Sequence, residues 1–199
     1  MKLAGVALLL LAAMVFVMGG CSDNPTQPVS PTDQSVGEPS SLEKACIREY
    51  QGTAAPDWAD PGVIIKPPEQ REVDGKLISK GMLEKVVWDG AFLDGGIDLV
   101  SGKGVLELNA IVDPAAGEVF CWGKLTLTPS APEALGGVWE VTYHGKGKAG
   151  ASGWTLPLKM SGRGVGGALQ GMRCVVENVI TSPDLVLWTG AVTGYIGSR

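Results

Sequence analysis

The chain has 199 residues and a formal net charge of −5 at pH 7. This mildly acidic balance excludes an extended basic surface, so no nucleic-acid partner is expected. Glycine is abundant, with 29 residues, but the six tryptophans beside it exclude a collagen-like or wholly disordered chain.

The first twenty residues are typical of a secretory signal peptide. Lys2 precedes an apolar run over residues 3–17, and the small residues Gly19 and Gly20 follow it. The run is shorter than the ~20 residues that a membrane-spanning helix needs, and small residues at its end suit a cleavage site. We therefore expect residues 1–20 to be removed, the alternative being an uncleaved anchor.

Cys21 directly follows these small residues. The sequence 18–21 (MGGC) resembles the lipobox of bacterial lipoproteins, although that family usually has Leu or another aliphatic residue where Met18 stands. The resemblance implies that Cys21 is lipidated and anchors the protein in a membrane of the cell envelope. In Gram-negative members, Ser in the place of Ser22 accompanies sorting to the outer membrane, so that membrane is the expected location. An ordinary secretory signal with Cys21 there by chance is the remaining alternative.

Residues 21–42 predict a flexible tether, because Pro, Ser and Thr dominate and no periodicity is present. Residues 43–199 are then long enough for one domain with a sizeable core. Its start is ambiguous, since residues 42–50 suit either a helical turn or a first strand.

Further along the chain, short segments alternate apolar and polar residues with a period of two. These segments are residues 82–88, 105–112, 119–128, 138–148, 154–160, 172–179 and 185–196. Gly, Pro and Asp residues mark turns between them, and no long stretch has a period of 3.6. The pattern predicts an all-β domain of short antiparallel strands, folded as a sandwich or a closed barrel.

Several glycine- and tryptophan-bearing segments resemble a group of secreted bacterial β-proteins of unknown function. They are residues 50–53 (YQGT), the turns 102–104 (GKG) and 162–164 (GRG), and residues 136–140 (GGVWE) and 166–172 (GGALQGM). That group is in turn similar to the allene oxide cyclase and dirigent type of barrel. The resemblance covers about residues 46–197 and implies a single, lipocalin-like antiparallel barrel of about eight strands, whose lumen can hold one small apolar ligand. No catalytic residue of that type has a counterpart in this chain.

Five aromatic residues are candidates to line such a ligand cavity, with packing of the core as the alternative: Trp122, Trp139, Tyr143, Trp154 and Trp188. His144, the only histidine, alternates with Tyr143 and is expected on the outer face. No catalytic residue, metal site or cofactor is predicted.

Three cysteines remain once Cys21 is lipidated, namely Cys46, Cys121 and Cys174. An envelope location permits a disulfide, and any of the three pairings would leave one thiol free. Alternatively, all three are small buried hydrophobic residues.

These patterns together predict a membrane-anchored envelope lipoprotein whose barrel has a binding or structural role. Its expected partners are the membrane and a small apolar ligand, and its oligomeric state is left open. One alternative is an enzyme of the cyclase or isomerase kind acting on an apolar molecule in the lumen. The other is a component of a surface assembly, which would show an exposed apolar patch.

Overall fold

A computed structural model of the chain describes residues 47–130 and 136–198. Within these ranges there are ten β-strands, one 3-10 turn at Gly167–Leu169 and no α-helix, so the predicted all-β fold is confirmed. The strands are β1 (Ile47–Pro56), β2 (Ile64–Lys66), β3 (Glu69–Val73), β4 (Lys76–Phe92), β5 (Gly102–Asp113), β6 (Glu118–Pro129), β7 (Val138–Gly150), β8 (Gly153–Val165), β9 (Met172–Ser182) and β10 (Thr189–Ser198). The expectations for Cys21, Cys46 and residues 1–42 concern residues outside the described ranges.

Eight of the strands form a closed, barrel-like ring of antiparallel pairs. The order around the ring is β1, β10, β9, β8, β7, β6, β5 and β4, and β4 also pairs with β1. This arrangement confirms the predicted architecture of about eight antiparallel strands. β2 and β3 lie off the ring, and each pairs with β4.

Alternate residues of each ring strand point inward, as the period of two predicted. In β7, Trp139, Val141 and Tyr143 are buried, while Glu140 and His144 are exposed. The inward apolar residues of the eight strands form one hydrophobic cluster. Each large apolar side chain buried there contributes ~1.5–3 kcal/mol, which favours closure of the ring.

The two ends of the ring differ in what they carry. At the entry end, β1 begins at Ile47 beside the end of β10, and Val100 and Leu169 from two connecting segments are buried in the core. At the far end, β1 ends at Pro56, and the connections 114–117, 151–152 and 183–188 join neighbouring strands.

The structure differs from the sequence prediction in three places. β2 and β3 were not predicted, because all their residues are exposed and so show no apolar alternation. β10 begins at Thr189 rather than at residue 185, because the Asp184 carboxylate accepts hydrogen bonds from two following backbone N–H groups and forms a turn. Residues 102–104 and 162–164 lie within β5 and β8 rather than in turns.

Candidate functional site

Two of the five aromatic residues predicted to line a cavity, Trp139 and Tyr143, lie inside the ring. Trp139 Nε1 donates a hydrogen bond to the Leu99 carbonyl oxygen at 2.9 Å, and the Tyr143 hydroxyl donates one to the Glu107 carbonyl oxygen at 2.9 Å. The gap beside Trp139 is an apolar cavity of about 20 Å³, which is room for about one water molecule. The part of the lumen around Trp139 is therefore filled by side chains.

The other three predicted residues lie elsewhere. Trp122 points outward from β6, where its ring stacks on that of Phe120 with 5.4 Å between the ring centroids. Trp154 and Trp188 are half-buried and pack against the core at the far end. The five residues thus form no common lining, and Trp188 belongs to a different site.

That site begins with Glu84, a carboxyl group inside the ring. Glu84 lies on β4 between β2 and β5, and only 2% of the residue is exposed. Trp188 Nε1 donates a hydrogen bond to Glu84 Oε2 at 3.2 Å. Burial raises the pKa of Glu84 to about 7, because a charged carboxylate loses its hydration inside the ring. The group can therefore gain or lose a proton near neutral pH.

Glu84 was not among the residues singled out from the sequence, although a signal for it was present. The alternation of β4 places it on the same face as Met82, Val86 and Trp88. A glutamate on an apolar face is rarely tolerated in a core without a partner. The sequence alone could not identify that partner, because Trp188 lies more than a hundred residues further along the chain.

A surface cleft lies directly beside Trp188 at the far end. It has a volume of about 360 Å³ and includes Ala55, Trp58, Pro183, Leu187 and Trp188 in its lining. Trp58 and Leu187 are each about half exposed, at 49% and 50%. Ligand sites are typically concave, mostly apolar and ~300–1,000 Å³ in volume. The cleft is at the lower end of that range.

The segment that carries Trp58 is fixed to the ring by two ion pairs. Lys103 Nζ lies 2.8 Å from Asp57 Oδ2, and Lys85 Nζ lies 2.7 Å from Asp60 Oδ2. The hydrogen bond from Lys85 lowers the pKa of Asp60. One wall of the cleft is thus held in place by β4 and β5.

The opposite wall is fixed by hydrogen bonds within the connection between β9 and β10. The Ser182 hydroxyl oxygen accepts a hydrogen bond from the backbone N–H of Leu185 at 2.8 Å. Asp184 Oδ1 accepts from the backbone N–H groups of Val186 and Leu187 at 2.9 and 2.8 Å. Both walls are therefore built before any ligand arrives, which lowers the entropic cost of binding.

Three other chemistry-bearing side chains in the part of the chain that the structure describes are His144, Cys121 and Cys174, and they lie apart from the cleft. His144 is exposed on the outer face of β7, as predicted. Cys121 and Cys174 are buried free thiols, and burial raises the pKa of each to about 12, so neither is a nucleophile at neutral pH. Within the described ranges, no three His, Cys, Asp or Glu side chains are placed to hold a metal ion.

Comparison with known proteins gave no match to a family model, a curated protein or a solved structure. Among residues 47–130 and 136–198, no helix is long and apolar enough to cross a membrane.

Proposed function

We propose that the protein is an envelope lipoprotein, anchored through Cys21, whose ring domain binds a small apolar ligand in the far-end cleft. The observation that carries the binding role is the contrast between the two spaces. The lumen cavity of about 20 Å³ admits no ligand, whereas the cleft of about 360 Å³ presents Trp58, Leu187 and Trp188 together with several serine and threonine residues. We therefore propose the far-end cleft, rather than the lumen, as the ligand site.

The anchor and its location are supported by the sequence ahead of the ring. Cys21 directly follows the signal-like residues 1–20. Ser22, the next residue, suits sorting to the outer membrane in a host with two membranes. Two acyl chains are enough for stable anchoring, since each buried CH₂ contributes ~0.8 kcal/mol. β1 enters the ring at the end opposite the cleft.

The anchor is tested by replacing Cys21 with Ser in the full-length chain. We expect the wild-type protein to incorporate labelled palmitate and sediment with membranes, and Cys21→Ser to do neither. Mass spectrometry showing an unmodified mature N-terminus at another residue would overturn this part of the proposal.

The cleft is tested by isothermal titration of the full-length protein, in non-ionic detergent, with 1-naphthol as the apolar probe. Trp58→Ala removes a half-exposed aromatic wall, so we expect binding to weaken by at least about fivefold. Trp122→Ala is the matched control, because Trp122 lies on the outer face of β6, and it should bind within about twofold of wild type. Equal losses in both variants, or no heat above that of empty micelles, would contradict the proposal.

One observation favours the enzyme alternative, namely the Glu84 carboxyl group behind Trp188. A general acid or base is expected to have a pKa near the working pH, and burial gives Glu84 such a pKa, at about 7. Within the described residues, however, only the Trp188 indole hydrogen-bonds to this carboxyl group, and an indole N–H neither donates its proton nor accepts one in catalysis. Binding is therefore the function that the site supports better.

A further inference from the structure

A second concave surface lies on the outside of the ring, across β6, β7, β8 and β9. This groove has a volume of about 680 Å³. Its polar lining includes Lys124, Thr126, Glu140, Thr142, Arg163 and Arg173. It lies apart from the far-end cleft, whose lining shares no residue with it.

The groove concentrates positive charge on a protein that is acidic overall. Arg163 on β8 lies directly opposite Arg173 on β9. Like charges facing each other across two strands destabilise a sheet. Glu140 offsets only one of them, since its Oε2 accepts hydrogen bonds from Arg163 Nε at 3.2 Å and Nη2 at 3.0 Å. Within the described residues, the side chains of Arg173 and Lys124 make no hydrogen bond or ion pair.

This arrangement has the features of an anion-binding site. A carboxylate or phosphate placed between the two guanidinium groups would convert their repulsion into charge-assisted hydrogen bonds. Lys124 would supply a third positive charge at the other side of the groove. The groove would then hold three cations and the Glu140 carboxylate around one ligand.

The polar groups between these cations select for hydroxyl groups on the ligand. Glu140 uses only Oε2 for Arg163, so Oε1 is free to accept a hydrogen bond from a ligand hydroxyl. The exposed hydroxyl groups of Thr126 and Ser161 add further donors and acceptors to the groove. A purely anionic surface, such as phospholipid headgroups, would instead place negative charge against Glu140.

We propose that this groove binds an anionic saccharide, a sugar chain that carries both hydroxyl groups and carboxylates or phosphates. The site is independent of the far-end cleft and of the proposed apolar ligand. It gives the protein a second binding surface, on the side wall of the ring.

The experiment is isothermal titration of the full-length protein in non-ionic detergent with trigalacturonate, at about 50 mM salt because surface charges are screened strongly above that. Arg173→Gln removes a charge whose side chain has no ion-pair partner among residues 47–130 and 136–198, and we expect affinity to fall by about fivefold or more. Lys159→Gln is the matched control. Lys159 also points outward from β8 but lies outside the groove, so its affinity should stay within about twofold of wild type.

The neutral sugar maltotriose should bind at least about tenfold more weakly than trigalacturonate, because it offers no anion to Arg163 and Arg173. Equal losses from Arg173→Gln and Lys159→Gln would show general charge attraction and overturn the proposal. Binding to phosphatidylglycerol vesicles that Arg173→Gln abolishes, without trigalacturonate binding, would assign the groove to lipid headgroups instead. Trp58→Ala should leave trigalacturonate binding unchanged, which separates this site from the cleft.

Discussion

Glu84 is a polar carboxyl group that lies buried in a hydrophobic environment. A carboxyl group inside a hydrophobic ring is stable when it keeps its proton, and among the described residues the Trp188 indole N–H is the donor that favours the ionised form. Proton loss near neutral pH therefore puts a charge in the core just behind the cleft. The ring should become less stable as that charge forms.

This effect is measurable with Glu84→Gln. The pKa of Glu84 is about 7 in the folded state and 4.5 as the ordinary value, so the folded chain binds the extra proton between these limits. The contribution of Glu84 to the free energy of unfolding of the wild-type protein should fall as pH rises from about 5 to 7 and then stay level. We expect urea denaturation to show Glu84→Gln gaining roughly 2–3 kcal/mol relative to wild type between pH 5 and pH 8.

A second variant tests whether the Glu84 carboxyl group causes this pH dependence of stability. Trp188→Phe removes the hydrogen bond that favours the carboxylate and so raises the folded-state pKa of Glu84 further, and the decline of stability should extend to higher pH than in wild type. Parallel pH profiles for wild type and Glu84→Gln would show that Glu84 does not titrate in the folded ring.

At the scale of the strand, glycines at inward positions set how closely neighbouring strands and side chains can approach. Gly123 on β6 faces inward, and a Cβ there would collide with the Glu107 carbonyl oxygen. That same oxygen accepts the hydrogen bond from the Tyr143 hydroxyl, which itself would lie 2.8 Å from the Cβ. Gly123 is thus required by the packing of β5, β6 and β7.

Gly123→Ala should therefore destabilise the protein by more than about 2 kcal/mol, as overpacking against rigid backbone does. Gly150→Ala is the matched control at the end of β7, where the nearest atom to a new Cβ is the Gly153 carbonyl oxygen at 3.7 Å. Its free energy of unfolding should stay within about 0.5 kcal/mol of wild type. Similar losses in both variants would show that glycine content, rather than contact at Gly123, matters.

The strands also show how far the sequence determines the structure. β7 could be predicted to within two residues of its end, because Trp139, Val141 and Tyr143 alternate with polar residues along a half-buried strand. β3 could not, since a strand exposed on both faces has no apolar period. The cleft was also beyond prediction, because Trp58 and Leu187 lie in connections whose meeting is fixed by the ring and not by local pattern. The proposed signal peptide, tether and domain boundary at residue 43 stay predictions.

For the whole molecule, the main consequence of the topology is that the ring has no free edge among its eight strands. β1 is hydrogen-bonded on one side to β10 and on the other to β4. Opening any one strand breaks two ladders and exposes part of the shared core. We therefore expect the ring to unfold as one cooperative unit.

Two buried thiols on different strands report on this cooperativity. In a chain with Cys21→Ser and Cys46→Ser, Cys121 and Cys174 should not react with Ellman's reagent in buffer, because both are buried and protonated. Both should become reactive in a single denaturant transition that coincides with the change in tryptophan fluorescence. Ser152→Cys, at an exposed position, should react at once and serves as the control.

Reaction of Cys174 at a lower denaturant concentration than Cys121 would show that β9 opens separately from β6. The ring would then consist of at least two units of different stability.

The position of β1 between β10 and β4 also has a mechanical meaning. A pull on the chain ahead of Ile47 enters the ring at the entry end and runs lengthwise along β1. The hydrogen bonds of antiparallel ladders lie perpendicular to the strands, so this force shears two ladders at once instead of opening them one bond at a time. An opposing force applied at the far end would act along the same strands. The ring is thus oriented to transmit tension along its strands, and its resistance would be set by the rate of unfolding under force.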